Sequence, residues 1–203
     1  MRGFTLVEMM VSVAVFMSVM TIAISSLTSI IDSNKKAQTT KSLTDNLTFA
    51  IDSMSRNIRI GTNYLCRDDS GSFVSVCSNG SKEILYLPAG MNPSGSNYVL
   101  YRFVSTDQVA SGEGNVQERR GCTSLGENCT GAWQSLTAPT ANMSVTNLTF
   151  YVLGNGTDNL PLLSRRQPRV IITAQGVVIG KKNDQTEFTL QTTASERKRA
   201  TNN

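Results

Sequence analysis

The 203-residue chain contains no histidine. That excludes Ser-His-Asp and Cys-His catalysis, and any zinc site built on imidazole. Aromatic residues make up 6% and charged residues 17%, whereas Ser, Thr, Asn and Gly are abundant. Such a composition suits an exported, β-rich domain with long loops better than a compact cytosolic enzyme. Between Gly3 and Gly61 there is neither Pro nor Gly, so nothing there breaks a helix. The formal charge of +4 is a mild surplus and does not by itself argue for nucleic acid.

What is present is concentrated at the N-terminus. From Met9 to Ile31 no residue is charged. At ~1.5 Å per residue a helix of that length spans roughly 34 Å, enough to cross a bilayer core. Glu8 stands out, set one turn inside an apolar helix expected to start at Phe4. An ionised carboxylate in hydrocarbon costs at least ~2.5–3.5 kcal/mol, so it needs a partner or a task. A secretory signal peptide fits poorly, because only Met1-Arg2-Gly3 precede the apolar run and no A-x-A site closes it. A plain membrane anchor with an incidental Glu is the simpler alternative.

The full string Gly3-Phe4-Thr5-Leu6-Val7-Glu8 closely resembles the class III signal of type IV prepilins and type II secretion pseudopilins. The resemblance covers about the first thirty residues. It implies cleavage after Gly3 by a prepilin peptidase and N-methylation of the new Phe4 amine. It also implies retention of the apolar run as a membrane helix and later as filament core. Glu8 would face the Phe4 ammonium of a neighbouring subunit, since a paired buried charge is far cheaper than a lone one. Unlike many pilins, this chain has no Pro or Gly within residues 4–31, so local melting of the helix in a filament is harder to argue.

Beyond Ile31 the helical signal continues as an amphipathic stripe of Leu43, Leu47, Ala50, Ile51, Met54 and Ile58, with Gly61 expected as the C′ residue. One helix from Phe4 to Ile60, roughly 85 Å long, is predicted. Four Met in its first half (Met9, Met10, Met17, Met20) read as flexible apolar packing. Gly61–Ser81 and Ser105–Ala132 read as loops. Strands are expected at Lys82–Leu87, Tyr98–Val104, Trp133–Leu136, Val145–Leu153, Arg169–Ile179 and Glu187–Thr193. The fold class is therefore α+β: a long N-terminal helix, membrane-spanning in its first half, packed on the apolar face of an antiparallel sheet, as in pilins. The divisions are a leader at 1–3, an assembly helix at 4–31, an amphipathic half at 32–60, an exported domain at 61–196 and a basic tail at 197–203. Strand order and length in the last part resemble J-type minor pseudopilins and related minor pilins.

The four Cys form two local couples, Cys66 with Cys77 and Cys122 with Cys129, and neither spacing suits a zinc ribbon. Two disulfides closing short loops are expected in an exported domain, although four Cys permit three connectivities. Four buried thiols remain the alternative. Asp68-Asp69-Ser70-Gly71 and Asn155-Gly156-Thr157-Asp158 carry oxygen ligands in loops, but neither has the EF-hand pattern, and solvated turns are the favoured reading. Basic residues occur at Arg119-Arg120, Arg165-Arg166-Arg169, Lys181-Lys182 and Arg197-Lys198-Arg199. Converging on one face they would suit duplex DNA, whereas an ordinary solvated surface is favoured.

No nucleophile–base pair or phosphate loop is visible, so neither an enzyme nor a cofactor is expected. The function expected is that of a minor pilin or pseudopilin in a type IV pilus or type II secretion filament. Its partners would be a prepilin peptidase, other pilin or pseudopilin subunits, the inner-membrane assembly platform and membrane lipids. The protein would reside in the inner membrane with its C-terminal domain exported, then in a filament. A filament-tip adhesin or DNA-binding minor pilin is the alternative.

Overall fold

The structure, a computed structural model, describes residues 5–105, 114–137, 143–154, 167–179 and 185–197, without the side chains of Leu43, Met143, Val178 and Ile179. Helix α1 runs unbroken over Leu6–Ile60, 55 residues. It takes part in both compact units of the chain, Met1–Lys41 and Ser42–Asn203. Thr5 is not helical, so the helix starts at Leu6 rather than at the expected Phe4, which itself lies outside the described residues.

In the first unit the apolar side chains of α1, from Leu6 and Val7 through Ile30 and Ile31, are exposed. In the second unit the spacing of three and four residues has its structural counterpart. Leu47, Ala50, Ile51, Met54 and Ile58 are buried, while Asp45, Thr48, Phe49, Asp52 and Arg56 on other faces are exposed.

The end of α1 departs from expectation in an informative way. Gly61 donates its N–H to Ile58 O at 2.9 Å, but the left-handed residue is Asn63, at φ 52°. Gly61 is needed for space instead. A Cβ there would lie 2.6 Å from Cδ2 of Tyr86. The Tyr64 hydroxyl closes the terminus, shared between the carbonyls of Ile58 at 2.9 Å and Gly61 at 2.6 Å. Burial pushes the Tyr64 phenol pKa up, with Glu196 adding to the shift.

Among the described residues ten strands follow: β1 Thr62–Arg67, β2 Phe73–Val74, β3 Cys77–Ser81, β4 Glu83–Leu87, β5 Tyr98–Val104, β6 Asn115–Cys122, β7 Gln134–Ser135, β8 Met143–Leu153, β9 Arg169–Ile179 and β10 Gln185–Ser195. They form two sheets, ordered β2-β1-β4-β5-β6-β7 and β10-β9-β8-β3. All pairings are antiparallel. One core joins the helix stripe to both sheets, through Tyr64, Ile84, Tyr101 and Val116 of the first and Leu148, Phe150, Val170 and Ile172 of the second. A polar chain crosses this core. Asn57 donates to the Tyr101 hydroxyl at 3.0 Å, which lies 3.2 Å from that of Tyr86, with the two rings stacked at 5.5 Å. These bonds fix the helix against β4 and β5 at a definite rotation, where apolar contact alone is non-directional.

The first sheet is apolar on both faces, not on one as expected. Leu85, Leu87, Tyr98, Leu100 and Cys122 alternate with the residues of the main core and form a second cluster. Trp133, Cys129 and Phe73 pack over that cluster. Four strands fall within the two stretches read as loops. Strands β1, β2 and β3 lie in Gly61–Ser81 and β6 lies in Ser105–Ala132. The residues of β3, Cys-Ser-Asn-Gly-Ser, and of β6, Asn-Val-Gln-Glu-Arg-Arg-Gly-Cys, carry little β-propensity, and pairing with neighbouring strands decides their state, whereas β1 and β2 are short runs set among turn residues.

Two helix residues five positions apart should respond differently to truncation. Met54 is 0% exposed and Phe49 is 75% exposed. Met54→Ala should cost about 2–5 kcal/mol of folding stability. Phe49→Ala should stay within about 0.5 kcal/mol. Denaturant unfolding followed by circular dichroism measures both.

Candidate functional site

Four hydroxyls of the N-terminal segment are satisfied by its own backbone. In its apolar stretch the hydroxyls of Ser12, Ser18 and Thr21 donate to the carbonyls of Glu8, Ala14 and Met17 at 2.7–2.8 Å. Thr28 does the same to Ser25 at 2.9 Å. These hydroxyls therefore need no water, as a lipid environment requires. Among the described residues α1 is the one helix long and apolar enough to cross a membrane.

Glu8 sits at the third helical position with Thr5 at the N-cap. The Glu8 N–H donates to Thr5 Oγ1 at 3.3 Å, and the Thr5 N–H donates to Glu8 Oε2 at 3.5 Å. This is a capping box, long in both bonds. It satisfies amide donors at the helix start, where the macrodipole also favours a carboxylate. The Thr-x-x-Glu signature is itself a sequence signal for this cap, one that the charge of Glu8 alone does not reveal. Gly3 and Phe4 lie outside the described residues.

Both disulfides are local. Cys66 in β1 is bonded to Cys77 in β3, so this bridge links the two sheets. Cys122 at the end of β6 is bonded to Cys129. That second bridge holds the segment placing Trp133 over the second cluster. Arg102 stacks on the Trp133 ring at 3.5 Å and Arg119 lies 5.4 Å from it.

The loop candidate Asp68-Asp69-Ser70-Gly71 closes on itself. Asp68 Oδ1 accepts from Ser70 N–H, Ser70 Oγ and Ser72 N–H at 3.0, 2.6 and 2.9 Å. The Ser70 hydroxyl, then the Ser72 amide, hold the Asp68 carboxyl below the usual carboxylate range. An oxygen engaged three times is a turn device rather than a cation ligand, and among the described residues no group of three acidic or Cys ligands converges. Asn155–Asp158 lies outside the described residues.

An open cavity of about 440 Å³ beside this turn is lined by Arg67, Asp68, Asp69, Lys82, Glu83 and Asn147, among others. Its charges are of both signs and partly spent on each other, with Arg67 bound to Glu83 at 2.7 Å and to Gly71 O at 2.9 Å.

Of the basic groups, the Arg119-Arg120 pair does not converge on one face. Arg119 turns to one face of β6, donating to Gly131 O at 2.8 Å and Cys129 O at 3.0 Å. Arg120 turns to the other, where it binds the buried Glu118. Neighbours in a strand point to opposite faces, so the dipeptide makes no patch. Arg165, Arg166, Lys181, Lys182, Lys198 and Arg199 lie outside the described residues.

Comparison with known proteins adds one match. Residues 1–24 match a family model described as the prokaryotic N-terminal methylation motif. It supports the type IV pilin and pseudopilin class, and prepilin-type processing with it. No curated protein and no solved structure matches the chain.

The two bridges should be separable by non-reducing peptide mapping, which is expected to recover Cys66 linked to Cys77 and Cys122 linked to Cys129. Replacing Cys66 and Cys77 together by Ser should lower stability by roughly 2.5–3 kcal/mol on the chain-entropy model. Native protein that alkylates at all four positions would contradict the pairing.

Proposed function

We propose that this chain is a filament subunit of the prepilin class, a minor pilin or pseudopilin serving a type IV pilus or a type II secretion machine. The observation that carries the reading is the string Gly3–Glu8 at the head of an unbroken apolar helix, within the matched residues 1–24. In this reading the first half of α1 anchors the chain in the inner membrane, with the C-terminal domain on the exported side. A prepilin peptidase removes Met1-Arg2-Gly3, and the Phe4 amine is methylated. The subunit then leaves the bilayer by packing its apolar helix among those of other subunits, on the assembly platform.

Such a transfer exchanges lipid contacts for helix contacts, which are of similar apolar character, so a directional term is needed to choose the register. The new cation at Phe4 and the carboxylate of Glu8 supply one. Glu8 caps its own helix through Oε2, and a carboxylate accepts several hydrogen bonds, so capping and pairing are compatible. Display of a DNA or adhesin ligand at a filament tip has less support, since Arg119 and Arg120 diverge and are held internally.

Replacing Gly3 by a bulky residue should leave full-length protein in the membrane. Mass spectrometry of the wild type should find a methylated Phe4 at the N-terminus. Unmodified Met1 in assembled filaments would overturn the proposal.

Glu8 needs two variants, because it has two tasks. Glu8→Gln keeps an oxygen for the Thr5 amide and loses the charge, whereas Glu8→Ala loses both. Both should still be cleaved and membrane-held. Both should recover partner subunits poorly in pull-downs at equal abundance, because an unpaired buried cation costs about 3–5 kcal/mol. Wild-type recovery with Glu8→Gln would reduce Glu8 to a helix cap.

A further inference from the structure

A row of charged and polar residues crosses the outer face of the first sheet, and its charges do not cancel. Arg67 of β1 binds Glu83 of β4 at 2.7 Å. Glu83 stands opposite Arg102 of β5, and Arg102 opposite Gln117 of β6. Arg119, opposite Leu100, lies two residues along β6 from Gln117 and so shares its face. Three guanidiniums therefore meet one carboxylate, and Arg67 already holds it. Among the described residues neither Arg102 nor Arg119 enters an ion pair.

Both surplus cations are held in place. Nε and Nη2 of Arg102 donate to Gln117 Oε1 at 3.0 and 2.9 Å, and its Cζ lies 3.5 Å from the centre of the Trp133 ring. Arg119 donates through Nε and Nη2 to the carbonyls of Gly131 and Cys129, 5.4 Å from the same ring. Each guanidinium is thus fixed by one edge, through neutral acceptors. Neither Nη1 has a partner among the described residues. Arg102, Arg119 and Trp133 are half-buried, so the group remains open to a solute. Burial, and after it the like charge of Arg119, hold the Arg102 guanidinium below its ordinary pKa, while Glu83 pulls the other way. Two like charges kept together without a counter-ion repel, and an anion bound to both relieves that repulsion.

We propose that Arg102 and Arg119, seated beside Trp133, form a binding site for a doubly charged oxyanion of the phosphate class. Two guanidinium charges match a dianion, whereas a single carboxylate would leave one of them uncompensated. The unspent Nη1 donors supply charge-assisted hydrogen bonds, and the oxygens of one phosphate can accept from both guanidiniums. Trp133 and the carbonyl acceptors fix the donors before the ion arrives, so little ordering is lost on binding. The site suits a compact ion and not duplex DNA, because Arg120 turns to the other face and adds no second phosphate contact. This inference does not rest on the filament reading, because the site lies wholly within the folded domain.

Trp133 is the single Trp of the chain, so its emission reports from the site itself. Full-length protein in nonionic detergent micelles is titrated with sulfate, phosphate, acetate and chloride at matched ionic strength. Sulfate and phosphate should change the emission saturably, with acetate and chloride at least tenfold weaker. Between about pH 8 and about pH 5 phosphate loses its second charge, and its affinity should fall about tenfold while that of sulfate holds. Arg102→Gln and Arg119→Gln should each weaken sulfate binding at least tenfold, whereas Arg56→Gln, on the exposed face of α1, should leave it unchanged. Peptide mapping of the Cys122–Cys129 link verifies that each variant is folded. Should Arg119→Gln release the segment it holds, Arg102→Lys, which keeps the charge and loses the fork, should still weaken binding severalfold. Equilibrium dialysis with labelled phosphate reads the same affinities if the emission does not respond. Glycerol phosphate bound as tightly as inorganic phosphate, or more so, would make a phosphate monoester the ligand, and weaker binding would make it the free ion. No saturable binding in dialysis, acetate bound as tightly as sulfate, or wild-type affinity in both Gln variants would each overturn the proposal.

Discussion

The contact on which the folded domain depends is the stripe Leu47, Ile51, Met54 and Ile58 set into a core shared by two sheets. Each sheet turns an apolar face to the main core that must be covered, and the same helical stripe meets both. The Asn57–Tyr101–Tyr86 chain gives that contact its rotation, because hydrogen bonds have direction where burial does not. Gly61 then lets β1 start directly beneath Tyr86, so the helix end and the first sheet are parts of one packing solution.

The first half of the same helix has a composition suited to a different solvent. Its apolar side chains are exposed, and the hydroxyls of Ser12, Ser18, Thr21 and Thr28 are turned back onto their own backbone. Hydroxyls satisfied in this way lower the cost of passing between lipid and a bundle of similar helices, which is the transfer proposed for a filament subunit. Glu8 is the exception to this indifference. Its capping bonds with Thr5 show how a carboxylate can be kept at an apolar helix start before any partner arrives.

The two disulfides divide the work left by a polar composition. Cys66–Cys77 links the first sheet to the second beside the Asp68 turn, and Cys122–Cys129 fixes the segment that brings Trp133 over the outer cluster. Both lie in stretches rich in Ser, Asn and Gly, where apolar burial is scarce and a covalent link contributes most.

Much of this was legible in the residues themselves. The class III string, the uncharged run to Ile31 and the spacing of Leu47, Ile51, Met54 and Ile58 are local patterns, and a helix is decided by local periodicity. Strands such as Tyr98–Val104 and Arg169–Ile179 were legible for the same reason, being dense in β-branched and aromatic residues. The Thr5–Glu8 cap is equally local, a Thr-x-x-Glu signature within one turn. The tertiary structure alone decided the rest. Strands β3 and β6 have weak intrinsic preference and form because neighbours pair with them. The division of Arg119 from Arg120 follows from the pleat, which adjacent letters cannot show. That the first sheet is apolar on both faces, and that β10 is the long edge of the second, depends on which strands become neighbours. Those pairings are non-local and are settled only when the whole core closes.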